Sequence, residues 1–208
     1  MIRCKFFLLP LALAVTAAVA SADPMGYIVT VNTPDFGAPG WIDFSFNQAN
    51  ALTSLSATAT IWDFQHTGYT LDAVTQSTPG VSGFLGGGPL IIPNDQAGAN
   101  YFTQGILAWG SSFRFTVVFY GPAVGNPAPD GSAFRVTLFD SGFLPLVSPL
   151  VDGEVANITI NPAGDFSTFG STFSGGSATV DPVPEPATAW LLATGLGTLL
   201  LMRRRRPV

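Results

Sequence analysis

His66 is the sole histidine of the 208-residue chain, in Phe64-Gln-His-Thr-Gly68. A two-histidine metal site within one chain is therefore impossible. A Ser-His-Asp nucleophile would need this residue, and its segment lacks the G-x-S-x-G elbow that presents such a serine. Its place between a strand-like run and a glycine reads as a surface loop or strand end. Ser-Lys chemistry is excluded, because the sole lysine is Lys5. Paired carboxylates could cleave glycosides, but Asp152-Gly-Glu154 holds the only glutamate before the C-terminal region and reads first as a solvated turn. The loop pattern D-x-[DN]-x-[DN]-G that marks calcium is absent. Scattered carboxylates such as Asp95, Asp130 and Asp140 leave a structural calcium site open without naming a ligand set. No other cofactor is expected.

Aromatic side chains offer a better handle. Trp41, Trp62, Trp109 and Tyr120 are candidates for a sugar-stacking platform, since ring faces pack on the apolar faces of sugars; the competing reading puts them in the core or over a sheet. Thr58-Ala-Thr60 has the T-x-T spacing of some ice-binding faces, but a single occurrence is ordinary for a β protein. Asn157-Ile-Thr159 matches the glycosylation sequon by chance.

The elements that would position these residues are strands. Phe113, Phe115, Val117 and Phe119 alternate with Arg114, Thr116, Val118 and Tyr120, the period of a half-buried strand. Phe134, Val136 and Leu138 alternate with Arg135, Thr137 and Phe139; Ile42, Phe44 and Phe46 with Trp41, Asp43 and Ser45; Ala156, Ile158 and Ile160 with Asn157 and Thr159. Turn signals such as Pro79-Gly80, Asp130-Gly131 and Asp152-Gly153 punctuate the runs. No segment before Ala187 sustains a helical period. The expectation is an all-β, antiparallel β-sandwich or jelly-roll-like ectodomain over 23–165, followed over 166–182 by a Gly/Ser/Thr-rich stalk, with part of that stretch open to reading as a last strand.

Charge sharpens the class. Charged residues are only 10% of the chain, against ~25% in ordinary soluble domains. Six of the eight basic residues lie at the two ends, and between Asp23 and Asp181 twelve carboxylates face two arginines. That excess of ten negative charges excludes a nucleic-acid partner, which needs a positive footprint. The only cysteine, Cys4, falls in the leader, so the exported chain has neither a thiol nor a disulfide.

The ends carry the address. Arg3 and Lys5, the apolar run Phe6 to Val19, and Ala20-Ser21-Ala22 form a signal peptide over 1–22, helical in its apolar part, with cleavage after Ala22 and an alternative after Ala20. It implies the Sec translocon and signal peptidase as partners. Val183-Pro184-Glu185-Pro186 is followed by sixteen uncharged residues, Ala187 to Met202, then by Arg203, Arg204, Arg205 and Arg206. The sixteen would form a transmembrane helix over 187–202, ~24 Å long against a ~30 Å hydrocarbon core, a gap that local thinning and snorkelling arginines close. Trp190 falls near the outer interface, and the basic tail 203–206 stays cytoplasmic as the membrane stop.

The arrangement over 183–206 resembles the PEP-CTERM sorting signal, a tail also labelled "ice-binding protein C-terminal". The resemblance implies recognition of Pro184, Glu185 and Pro186 by an exosortase, transient residence in the inner membrane, then a cell-surface or extracellular fate in a Gram-negative bacterium that makes extracellular polysaccharide. These residues would be another enzyme's substrate. The expected function is thus a non-enzymatic surface protein associated with exopolysaccharide or biofilm; the alternatives are a carbohydrate-binding module using Trp41, Trp62 or Trp109, and a small polysaccharide hydrolase.

Overall fold

The computed structural model describes residues 25–95, 98–147 and 151–183. The signal peptide and transmembrane helix expected at the two ends lie outside the described residues, as do Pro184 to Pro186 and the four terminal arginines. Among the described residues the only helical element is a 3-10 turn, Val151–Gly153, and no helix is long and apolar enough to cross a membrane.

The alternating runs fold as the pattern demands. Twelve strands form two antiparallel sheets: β1 (Met25–Asn32), β2 (Gly40–Gln48), β3 (Thr58–Thr67), β4 (Thr70–Ser77), β5 (Leu90–Pro93), β6 (Tyr101–Ala108), β7 (Ser112–Tyr120), β8 (Ser132–Asp140), β9 (Glu154–Ile160), β10 (Phe166–Gly170), β11 (Thr172–Phe173) and β12 (Gly176–Pro182). Sheet A has the order β11-β12-β1-β7-β3-β5, and sheet B the order β10-β9-β8-β2-β6-β4. Strands β1 to β8 alternate strictly between the sheets, so each of those connections crosses an end of the sandwich and loops collect at two poles.

The inner faces are the ones the sequence marks. Phe113, Phe115, Val117 and Phe119 of β7 meet Ile42, Phe44 and Phe46 of β2 and Phe134, Val136 and Leu138 of β8, all at most 1% exposed. Rings interlock edge to face, as in Phe44–Phe115 (5.3 Å, 81°) and Phe119–Phe134 (6.0 Å, 78°). Each such pair adds about 1 kcal/mol to the area it buries. The loop between β7 and β8 spans the glycine- and proline-rich stretch 121–131.

Residues 166–182 depart from the expected stalk. They form β10, β11 and β12, and β12 pairs with β1 from Asn32↔Ser177 to Tyr27↔Pro182. Phe166 packs on Tyr27 (5.6 Å) and Phe119 (5.4 Å), and Phe173 and Ala178 are buried. The glycines that suggested flexibility are sites of close approach. A Cβ on Gly170 would lie 2.4 Å from the Ala178 carbonyl oxygen, and one on Gly176 2.5 Å from that of Asn32. The folded body therefore runs from Met25 to Val183, whose N–H donates to the Gly26 carbonyl at 2.9 Å.

Candidate functional site

The outer face of sheet B is a ladder of hydrogen-bonding groups. Registers place Trp41 beside Phe139 and Gly105, Asp43 beside Thr137 and Thr103, and Ser45 beside Arg135 and Tyr101. A groove of about 510 Å³ runs along this face, lined by Asp43, Ser45 and Asn47 of β2, Tyr101 and Thr103 of β6, Gln76 of β4, Ala99, and the rings of Phe139 and Phe143. Its polar walls and aromatic end suit a ligand that presents hydroxyls on its edges and C–H groups on its faces.

Asp43 lies on the outer face, yet it is largely covered by its neighbours. Burial pushes its carboxyl up from 3.8 to about 6, while the Thr103 hydroxyl, donating to Oδ1 at 2.7 Å, pulls the other way. A carboxyl kept in this range accepts hydrogen bonds when ionised and donates one when protonated. Among the described residues Asp43 is the one carboxylate of the lining.

Phe143 reaches its place by a strained turn. It holds φ of 61°, a left-handed conformation that costs a bulky L-residue of order 1–3 kcal/mol. Asp140 clamps the turn: its Oδ1 accepts the N–H groups of Gly142 (2.8 Å) and Leu144 (2.9 Å), and its backbone closes on Leu144 and Phe143. The Phe143 ring then stacks on Trp41 at 5.0 Å and 13°, leaving Phe143 44% exposed. The Trp41 indole Nε1–H is covered and has no acceptor among the described residues. Trp41 therefore acts as the support beneath an exposed ring.

The three tryptophans expected to form one platform are separated. Trp41 is on the outer face of sheet B, and Trp62, 41% exposed, is on the opposite outer face, of sheet A. Trp109 is 6% exposed and packs under Phe36 (5.0 Å) and Tyr69 (5.8 Å), so it belongs to the core and cannot stack on a ligand. Tyr120 shares the Trp62 face. Sequence reasoning missed Asp43 and Phe143; the alternation of β2 did place Asp43 on the outer face beside Trp41, and that was the available signal.

The other candidates do not converge. His66 is exposed on β3 near the rings of Phe64 and Tyr69. Glu154 is engaged by Arg135 (3.2 Å) and by the Asn157 amide (3.1 Å). Asp152 is exposed at φ of 63° in the turn before β9. Asp140 serves its own turn at one pole, while Asp130, bonded by the Thr53 hydroxyl, and Asp95 lie at the other, so these three cannot share a calcium ion. Among the described residues no three acidic, histidine or cysteine side chains gather.

No curated protein and no solved structure matches the chain. The profile of the PEP-CTERM protein-sorting motif matches residues 182–206. The match begins at the last residue of β12 and takes in the Pro-Glu-Pro triplet, the apolar stretch and the four arginines. A motif of this kind implies exosortase sorting and an extracellular fate, so the chain carries a PEP-CTERM protein-sorting motif behind a body whose described residues are β-structured.

Proposed function

We propose that this chain is a non-enzymatic surface protein of a Gram-negative bacterium that holds extracellular polysaccharide in the groove of sheet B. A signal peptide sends it through the Sec translocon, the helix over 187–202 holds it briefly in the inner membrane, and exosortase acts at Pro184 to Pro186. The observation that carries the binding role is the pairing of a part-buried carboxyl with a presented ring: Asp43 with Thr103 along the groove, and Phe143 stacked on Trp41 at its end. Strain at Phe143 supports this, since a costly conformation persists where the surroundings impose it for a purpose. The single carboxylate of the groove favours retention of a glycan over its cleavage.

The test is retention of the protein on polysaccharide from the producing cells, with reducing ends measured in the same samples. Wild-type protein is retained, Phe143→Ala loses about 1–1.5 kcal/mol of binding, roughly tenfold, and reducing ends do not rise. Equal retention of wild type, Phe143→Ala and Asp43→Asn would remove the groove from the account. Release of reducing ends that Asp43→Asn abolishes would make the protein a hydrolase.

A further inference from the structure

Both ends of the described body leave from adjacent strands at one pole. β1 begins at Met25, β12 ends at Pro182, and the two are paired there through Tyr27↔Pro182. Val183 is itself fixed: its N–H donates to Gly26 at 2.9 Å, and its side chain faces Gly26 and, beyond it, Val118. The sorting triplet begins at the next residue, and the apolar stretch at Ala187. No stalk intervenes. From Val183 to Ala187 the chain spans at most ~14 Å fully extended, and part of that length lies within the headgroup layer, roughly 5–7 Å deep on each side of the hydrocarbon.

The same pole carries four connections: β2 to β3, β5 to β6, β7 to β8 and β9 to β10. This follows from the registers Met25↔Phe119, Thr58↔Tyr120, Gln48↔Ser132, Ser45↔Tyr101 and Ser132↔Ile160. Its most exposed large apolar side chain among the described residues is Leu52, 94% exposed. Its charged groups include Asp95, Asp130, Asp165 and, beside the exit of the chain, Asp181, all of which would be repelled by an anionic lipid surface, so charge does not draw the pole inward. The tether does: a connection this short sets the local concentration by length alone.

We propose that, while the tail is uncut, this pole lies against the lipid bilayer surface, with the loop containing Leu52 at the headgroups and the loop over 33–39, at the opposite pole, facing outward. The proposal rests on the membrane-held stage of the reading above and is independent of what the groove binds. The sandwich then stands with its strands roughly along the membrane normal, and sheet B is open to the exterior along its side.

Because Cys4 is the only cysteine, single thiols report the orientation cleanly. The full chain with Cys4→Ser is produced in a host without exosortase, carrying either Leu52→Cys or Ala38→Cys, both at exposed positions. Spheroplasts are treated with a bulky maleimide-polyethylene glycol. Position 52 is expected to label at least tenfold more slowly than position 38. A Gly/Ser insertion of about twenty residues between Val183 and Pro184, with a reach of ~25 Å, is expected to bring the two rates within about twofold. Equal rates without the insertion would overturn the proposal, and so would protection of position 52 that survives the insertion, which would mark a protein partner. Sedimentation of the chain with the membranes is read in the same samples: its loss refutes the anchoring itself, whereas equal labelling of a sedimenting chain refutes only the orientation.

Discussion

Replacing Asp43 by asparagine should make the protein more stable and a worse ligand holder. The carboxyl is covered, and its value rises from 3.8 to about 6. A raised folded-state value means the unfolded chain loses this proton first as pH climbs. Stability from this group is therefore fully present below pH 3.8, declines between 3.8 and about 6, and stays reduced above. At ~1.36 kcal/mol for each unit, the decline amounts to about 3 kcal/mol at most, and groove water should bring it nearer 2. Asparagine is isosteric, carries no charge and retains the oxygen that accepts from Thr103 at 2.7 Å. Urea unfolding of the detergent-solubilised chain, followed by tryptophan fluorescence, should show Asp43→Asn more stable than wild type by about 2 kcal/mol at pH 7.5, with the difference closing towards pH 4. In melting temperature the gain is roughly 4–8 °C. A variant that is equally stable or weaker at pH 7.5, or a difference that does not change with pH, would refute the claim that the groove keeps a carboxyl at a cost for the sake of its ligand.

The three tryptophans should separate by assay: Trp41→Ala weakens polysaccharide retention by removing the support under Phe143, Trp62→Ala changes neither retention nor stability, and Trp109→Ala costs about 3–5 kcal/mol in urea unfolding. Gly40→Ala should destabilise by several kcal/mol, because its Cβ would stand 2.3 Å from the Phe139 carbonyl oxygen and 2.7 Å from the Trp109 ring. Arg135→Ala should cost less than ~1 kcal/mol, since Arg135 is 49% exposed and Glu154 keeps its bond to Asn157. Intact-mass measurement of the chain recovered from the cell surface should show loss of residues 1–22 and of the apolar tail after the Pro-Glu-Pro triplet; a mass that retains Ala187 to Val208 would leave a one-span anchor in place of a sorted product.

Strand positions were legible wherever apolar residues alternate with polar ones. In β2, β7, β8 and β9 the residues assigned to the core are the buried ones. The last three strands were legible only in part, as one possible strand, because glycine signals flexibility and close packing with the same letter; Gly170 and Gly176 are needed where two backbones nearly touch. The groove was half legible. The β2 alternation put Trp41 and Asp43 side by side on an outer face, but Thr103 comes from a strand sixty residues away. Phe143 owes its position to a turn held by the Asp140 side chain, and a single sequence carries no sign of that φ. Of the two readings open for the tryptophans, a single platform is ruled out by topology, since β2 and β3 belong to opposite sheets, and the core reading holds for Trp109.

Tryptophan indole resonances offer a direct reading of the binding claim. Protein labelled with nitrogen-15 at tryptophan is titrated with oligosaccharides released from the producer's own polysaccharide, and the Nε1–H signals of Trp41, Trp62 and Trp109 are followed. Saturable movement of the Trp41 signal alone, abolished by Phe143→Ala, is the result the groove predicts. Movement of Trp62 with Trp41 unchanged would put the ligand on the other sheet and contradict it.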